Sequence, residues 1–214
     1  YHNKNTIANY LTDIGCHGIV SSVEEVIMKR YVISDLHLGH QAILKYRTQF
    51  ATLDEMHDTI INNWNSVVTP QDKVYILGDV AWDKQALVLL NSMNGNKVLI
   101  MGNHDILPLK EYVKYFKKIE GAKEYKGCIL THIPVHESQL ERFTLNIHGH
   151  MHDKSIMQKF EVMYPGGGLV GQKISKDKKY VYGLDPRYIN VCCEQVNYTP
   201  VLLEDIINDN DTRD

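Results

Sequence analysis

From residue 31 onward short apolar runs alternate with longer segments in which apolar and polar residues interleave. The runs YVIS (31–34), VYIL (74–77), VLIM (98–101), CILT (128–131) and LNIH (145–148) have the length and β-branched content of strands. Between the first two, Thr52-Leu53-Asp54-Glu55 has the form of a capping box, and Met56, Ile60, Ile61 and Trp64 follow at helical spacing. That pattern predicts a helix entered at Thr52. Helices are also predicted over 83–94, from Ala86, Leu87, Leu90 and the closing Asn94-Gly95, and over 109–119, from Val113, Phe116 and Ile119. The C-terminal third changes character. Residues 164–171 are Gly-rich, 173–179 form a Lys-rich turn that reads as a solvated hairpin, and VYGLD, YINVCCE and TPVLLED read as strands without an intervening helix. An α/β fold is expected, with helices covering a sheet that the C-terminal strands, antiparallel, extend or face.

Each of the five apolar runs leads into side chains that bind metals. Asp35 and His37 follow the first, Gly78-Asp79 the second, Gly102-Asn103-His104-Asp105 the third, His132 the fourth and Gly149-His150-Met151-His152 the fifth. The carboxyl ends of parallel strands share one edge, and ligands bind in the crevice there. Taken singly, each cluster has a plain reading, since Asp caps turns, a lone His is commonly a hydrogen-bonded structural residue, and Gly-Asp and Gly-Asn are turn dipeptides. Taken together, they would crowd carboxylates and imidazoles into one crevice at a cost in desolvation and repulsion, and a metal removes that conflict. Asp35, His37, Asp79, Asn103, His132, His150 and His152 are enough for two ions that share a carboxylate. Imidazole, carboxylate and an Asn carbonyl, without thiolate, suit Mn2+ first, with Fe, Zn2+ or Ni2+ as alternatives, rather than copper(I) or an Fe–S cluster. Two such ions clamp the attacking and leaving oxygens of a phosphoryl displacement and turn bridging water into hydroxide near neutral pH. Within NIHGHMHD (146–153), alternation alone offers His148, His150 and His152 as three equal ligands.

Composition narrows the partners. A chain of 214 residues suffices for one core, and a net charge of −3 argues against a groove that neutralises a long phosphate backbone, so a small substrate is favoured over nucleic acid. No apolar run approaches the roughly 20 residues of a membrane span, and the start lacks the order of features of an export signal. Cys16, Cys128, Cys192 and Cys193 include no C-x-x-C pair, which suggests reduced thiols in a cytoplasmic protein. Met28 precedes the first strand, so 1–27 is expected to be an N-terminal extension of unknown role and 28–214 a single domain. Nothing in the pattern sets an oligomeric state.

The succession Asp35-x-His37, Gly78-Asp79, Gly102-Asn103-His104-Asp105, His132 and Gly149-His150-x-His152 resembles the calcineurin-like metallophosphoesterases. SDLHLGH, MNGNKVLIMGNHD, THIPV and NIHGHMHD look like a compact prokaryotic or phage branch, over about residues 29–203. The resemblance implies an αββα sandwich of two mixed sheets flanked by helices, with the metal site at the carboxyl ends of strands. It implies that Asp35, His37 and His152 hold one ion, that Asn103, His132 and His150 hold the other, and that Asp79 bridges them. His104 would be the catalytic histidine that protonates the leaving oxygen, with Asp105 as its orienting partner. The implied activity is hydrolysis of a phosphodiester or phosphomonoester, a nucleotide or other small ester, by a bridging hydroxide on the dinuclear centre. His148 precedes the Gly-His-x-His motif and becomes a neighbour of the site rather than a ligand.

Members of this branch often continue from the first motif into Gly-His and then Arg-Pro-Phe. Here Gly39-His40 and Arg47 are kept but Thr48-Gln49-Phe50 follows, which makes His40 and Arg47 candidate phosphate contacts. Trp82 is a candidate aromatic wall, and the loops 38–50, 81–85, 134–143 and 164–172 would set specificity. A nuclease of the same superfamily and a non-catalytic metal-binding scaffold are the alternatives. A phosphoprotein phosphatase would carry Gly-Asp-x-x-Asp-Arg-Gly, where this chain has GDVAWDK.

Overall fold

The computed structural model of the chain describes residues 27–161 and 180–211. Its strands are β1 (Arg30–Ile33), β2 (Lys73–Ile76), β3 (Asn96–Ile100), β4 (Lys118–Glu120), β5 (Lys123–Tyr125), β6 (Cys128–Thr131), β7 (Leu145–His148), β8 (Met157–Glu161), β9 (Tyr180–Leu184), β10 (Tyr188–Asn190) and β11 (Val201–Leu202). The α-helices are α1 (Leu53–Val67), α2 (Leu109–Tyr112) and α3 (Leu203–Asp211). One sheet has the order β11-β1-β2-β3-β4 and a second the order β10-β7-β6-β5, while β8 and β9 form a separate hairpin. Both main sheets are mixed. In the first, β1 to β4 are parallel and β11 is antiparallel; in the second, β10, β7 and β6 are parallel and β5 is antiparallel.

The β1, β2 and β3 runs are apolar throughout because both faces of their sheet are covered. On one face Ile33, Val74, Ile76 and Leu99 pack with Met56, Ile60 and Trp64 of α1. Thr52 caps that helix by accepting from the Glu55 N–H, and Glu55 reaches back to accept from the Ala51 N–H. On the other face Val32, Tyr75, Leu77, Val98 and Ile100 meet Cys128, Leu130, Leu145 and Ile147 of the second sheet, so the two sheets pack face to face. The outer face of the second sheet lies under residues 133–144, which carry a 3-10 turn at Glu137–Glu141. There Asn146 Oδ1 accepts from Val135 N and Tyr188 Oη donates to Val135 O.

Several predicted elements differ. The helix expected over 83–94 is a 3-10 helix at Ala86–Ser92. Ala86, Leu87 and Leu90 are buried as spaced, but α1 takes carbonyls at its end and just past it: Asn65 Nδ2 donates to Ser92 O and Trp64 Nε1 to Asn94 O. The helix expected over 109–119 stops at Tyr112; Val113 is 61% exposed, and the chain turns into β4 because pairing with β3 satisfies its backbone. TPVLLED divides into β11 and α3, since Leu203 and Ile207, four apart, both bury against the inter-sheet core. β10 pairs parallel to β7, not antiparallel. The Gly-rich 164–172, the Lys-rich 173–179 and all of the 1–27 extension except Ile27 lie outside the described residues.

Candidate metal centre

Beyond the strand ends the backbone is forced into unusual conformations where the candidate ligands stand. Asp35, His37, Asp79, His150 and His152 have φ of 58°, 50°, 53°, 67° and 50°. Left-handed conformations cost side-chain-bearing residues about 1–3 kcal/mol each and persist only where the surroundings impose them. The surroundings do so here. Asp35 N donates to Gly78 O and His37 N to Asp79 O, which carries parallel pairing past β1 and β2. Ser34 bridges to Cys192, with Ser34 N donating to Val191 O, and this joins the two sheets at the crevice. Two glycines permit the approach. A Cβ at Gly149 would stand 2.0 Å from Ser34 Oγ, and one at Gly102 would stand 2.3 Å from Asp79 Oδ1.

The carboxylates and imidazoles converge without bonding one another. Asp35 Oδ1 lies 3.7 Å from His37 Nε2 and 3.8 Å from His152 Nε2, and Asp79 Oδ2 lies 3.7 Å from His37 Nε2. These separations are too long for hydrogen bonds, yet they match those between donors that share an ion at roughly 2.0–2.2 Å. Asp35 Oδ1 and His37 Nε2 are both buried and without a hydrogen-bond partner. A cation between them would satisfy both.

On the other side Asp79 Oδ1 accepts from His104 N at 2.8 Å and stands 3.4 Å from His132 Nε2. His132 Nδ1 lies 2.7 Å from Leu77 O, which can only accept, so Nδ1 carries the ring proton. In the neutral ring Nε2 then presents a lone pair to Asn103 Oδ1 at 2.8 Å, two acceptors face to face, which a cation would reconcile. The His150 ring packs edge-on against His132, with centroids 5.1 Å apart. The donor set therefore fits divalent ions: Asp35, His37 and His152 form one group and Asp35, Asp79 and His132 another, with Asn103 and His150 beside the second.

Burial alone would raise the Asp35 carboxyl. The His37 and His132 rings, the Ser34 hydroxyl and the His150 N–H outweigh it and hold Asp35 well below the usual carboxylate range. Asp35 Oδ2 accepts from Ser34 Oγ at 2.6 Å, His150 N at 2.9 Å and Cys192 Sγ at 3.1 Å. That leaves Oδ1 free toward the histidines.

A cavity of about 600 Å³ opens beside this cluster, lined among others by His37, His40, Tyr46, His104, His150 and His152. The His104 ring is exposed there, 5.8 Å from the His37 ring between centroids. His40 stacks on Trp82, with centroids 4.0 Å apart and planes 3° from parallel. Trp82 is half exposed, so the pair forms an aromatic rim.

Two expectations need correction. Arg47 does not reach the cavity: it is fully buried, with Nη2 donating to Asp35 O, Nη1 to Leu36 O and Nε to Glu194 Oε1, so no donor is turned toward a phosphate. Asp105 does not touch the His104 ring. Its buried carboxylate accepts from the N–H groups of Asp79, Val80 and Gly102 and holds the Gly78-Asp79 and Gly102 turns together. His148 is buried on the face of β7 opposite Leu145 and Ile147, with Nδ1 2.8 Å from Gly149 O and its ring against Tyr188.

Ser34, Cys192 and Glu194 are neighbours of the cluster that sequence reasoning missed. Glu194 Oε1 lies 3.1 Å from His152 Nδ1, and burial is overcome by His152 and Arg47, which lower its carboxyl to about 2. The signal was present. Residues 191–194 follow the carboxyl end of a parallel strand at the same edge, but that strand read as antiparallel.

The family pattern described as calcineurin-like phosphoesterase matches residues 28–205. An uncharacterized protein of Methanocaldococcus jannaschii is 36% identical over 84% of this chain and 89% of its own length. The gene 66 protein of Mycobacterium phage L5 is 27% identical over 69% of this chain and 90% of its own. A solved protein of unknown function from Aquifex aeolicus shares the fold, at a TM-score of 0.58 and 24% identity, over 85% of this chain and 98% of that one. With its candidate metal ligands gathered at the strand ends and this match over most of its length, the chain belongs to the calcineurin-like phosphoesterase family, which acts on phosphate esters with divalent metals.

Proposed function

We propose that the protein hydrolyses small phosphate esters, of nucleotide size or below, at a dinuclear centre. Asp35, His37 and His152 hold one ion, Asn103, His132 and His150 hold the other, and Asp79 stands between them. The observation that carries this reading is the pair of buried, unpartnered atoms Asp35 Oδ1 and His37 Nε2 beside Asp79, whose two oxygens face His37 and His132. When bound, two divalent ions supply charge neutralisation at the phosphoryl oxygens and a water activated near neutral pH. Mn2+ suits the oxygen and imidazole donors best.

The chain's own groups do the rest. His104 is tied by its backbone N–H to Asp79, which places its exposed ring at the mouth of the centre, where it donates a proton to the departing oxygen. Such a group contributes about 10²- to 10⁴-fold. The cavity of about 600 Å³ is the size for a small-molecule ligand, and the His40–Trp82 rim offers a flat surface to an aromatic leaving group. No helix of the described residues is long and apolar enough to cross a membrane, and the buried thiols of Cys192 and Cys193 suit a reducing cytoplasm.

The test is activity on bis-p-nitrophenyl phosphate and on a panel of phosphomonoesters, linear diesters and cyclic nucleotides. Chelator-stripped protein is expected to be inactive and to recover with added Mn2+. Activity that survives complete removal of metal would overturn the reading.

A further inference from the structure

A buried guanidinium is costly unless its charge and donors are met, and Arg47 is fully buried. Its partners are specific. Nη2 donates to Asp35 O at 2.6 Å, Nη1 to Leu36 O at 3.1 Å, and Nε to Glu194 Oε1 at 2.8 Å. The same Glu194 oxygen lies 3.1 Å from His152 Nδ1. One side chain therefore grips the main chain of one candidate ligand and, through one carboxylate, the ring of another.

We infer that Arg47 and Glu194 are positioning residues for the metal centre: Arg47 clamps the Asp35 turn while Glu194 fixes the orientation and tautomer of His152. The inference rests on the proposed reading of the cluster as a divalent-metal centre. Arg47 can only donate and the Glu194 carboxylate can only accept, so the contact between Glu194 and His152 must be made by a ring N–H. A proton therefore sits on Nδ1, and in the neutral ring the Nε2 lone pair points toward Asp35 Oδ1, 3.8 Å away. Asp35 and His152 are also two of the residues held at positive φ, a conformation that needs external support. The hydrogen bonds to Asp35 O and Leu36 O supply that support on one side. At His152 the main chain is held by Cys192 Sγ, Asn190 Nδ2 and Gln195 Nε2, and Glu194 holds the ring.

A buried ion pair that only anchored residues 191–194 to the core would stabilise the fold without selecting a tautomer or an ion. The experiment separates these roles by calorimetric Mn2+ titration and imidazole nitrogen NMR on the full chain, with the His152 signals assigned by their loss in His152→Asn. Metal-free wild type is expected to show His152 protonated at Nδ1. Glu194→Ala is expected to mix the two tautomers and to weaken one of two Mn2+ ions by about 10- to 100-fold, the range for lost support of a ligating histidine. The other ion keeps its affinity. Glu194→Gln, whose carbonyl oxygen can receive both donors, is expected to restore the Nδ1–H tautomer and most of the affinity.

Wild-type His152 protonated at Nε2 alone, or an alanine variant that binds both ions as wild type does or loses both alike, would overturn the inference. Should the alanine variant not fold, the tautomer in metal-free wild type and in Glu194→Gln decides alone. Wild type that binds no Mn2+ yet keeps the Nδ1–H tautomer would sink the metal reading and leave the positioning contact standing.

Discussion

His37 Nε2 lies 3.7 Å from Asp35 Oδ1, with neither atom hydrogen-bonded to anything. Two buried polar atoms left so, at a distance too long to satisfy each other and about right to share an ion, describe a site shaped around a cation. The backbone gives the same account, since positive φ recurs at five of the candidate ligands. Strain of that kind is retained where a geometry is needed.

The three alternating histidines should separate by metal content. His150 and His152 face the cluster, whereas His148 is buried beneath it against Tyr188 with Nδ1 at Gly149 O. Elemental analysis is expected to find two ions in His148→Asn and fewer in His150→Asn and His152→Asn. Equal loss in all three would show that His148 also binds.

His104→Asn is expected to keep both ions and to lower turnover by about 10²- to 10⁴-fold, most for poor leaving groups. The His104 ring stands outside both groups of candidate ligands, while its backbone N–H meets Asp79. The check is a comparison of kcat across esters of rising leaving-group pKa. A uniform decrease would remove the proton-donor role.

Much of this site is legible in the sequence, and for a definable reason. The candidate ligands directly follow strands, and parallel pairing brings strand ends to one edge whatever the helices do, so Asp35, His37, Asp79, Asn103, His132, His150 and His152 group together on chain position alone. What is not legible depends on where side chains turn. Arg47 and Asp105 sit beside the motif in sequence, yet Arg47 bends inward to the carbonyls of Asp35 and Leu36, and Asp105 folds back onto backbone N–H groups. Glu194 is hidden by the direction of β10, which periodicity does not reveal. α3 is hidden because Leu202-Leu203 continues the apolar run of β11, and only the four-residue spacing to Ile207 marks the change of period.

Gly149→Ala tests how tightly the fold is closed around Asp35. The added methyl would stand 2.0 Å from Ser34 Oγ and 2.5 Å from Asp35 Oδ2, so either the Ser34–Asp35 hydrogen bond or the turn into His150 must give way. Overpacking of this kind costs typically about 1–3 kcal/mol. A lower melting temperature for the metal-free protein and weaker Mn2+ binding are expected together. Wild-type values for both would show that the turn yields freely.

Asp105→Asn distinguishes a catalytic carboxylate from one that shapes the turns. Asp105 Oδ2 accepts from Asp79 N at 2.9 Å and Gly102 N at 2.8 Å, and Oδ1 accepts from Val80 N at 2.9 Å. An amide can keep one acceptor but turns an NH2 toward a remaining N–H, which leaves a buried donor unmet at a cost of about 1–3 kcal/mol. The loss falls on the backbone that carries Asp79 and Asn103. Lower thermal stability and weaker metal binding are therefore expected, while at saturating Mn2+ the dependence of kcat on leaving-group pKa stays that of wild type. If Asp105 instead tuned His104, that dependence would steepen with metal affinity unchanged, and the two patterns can be read from one set of titrations and one series of esters.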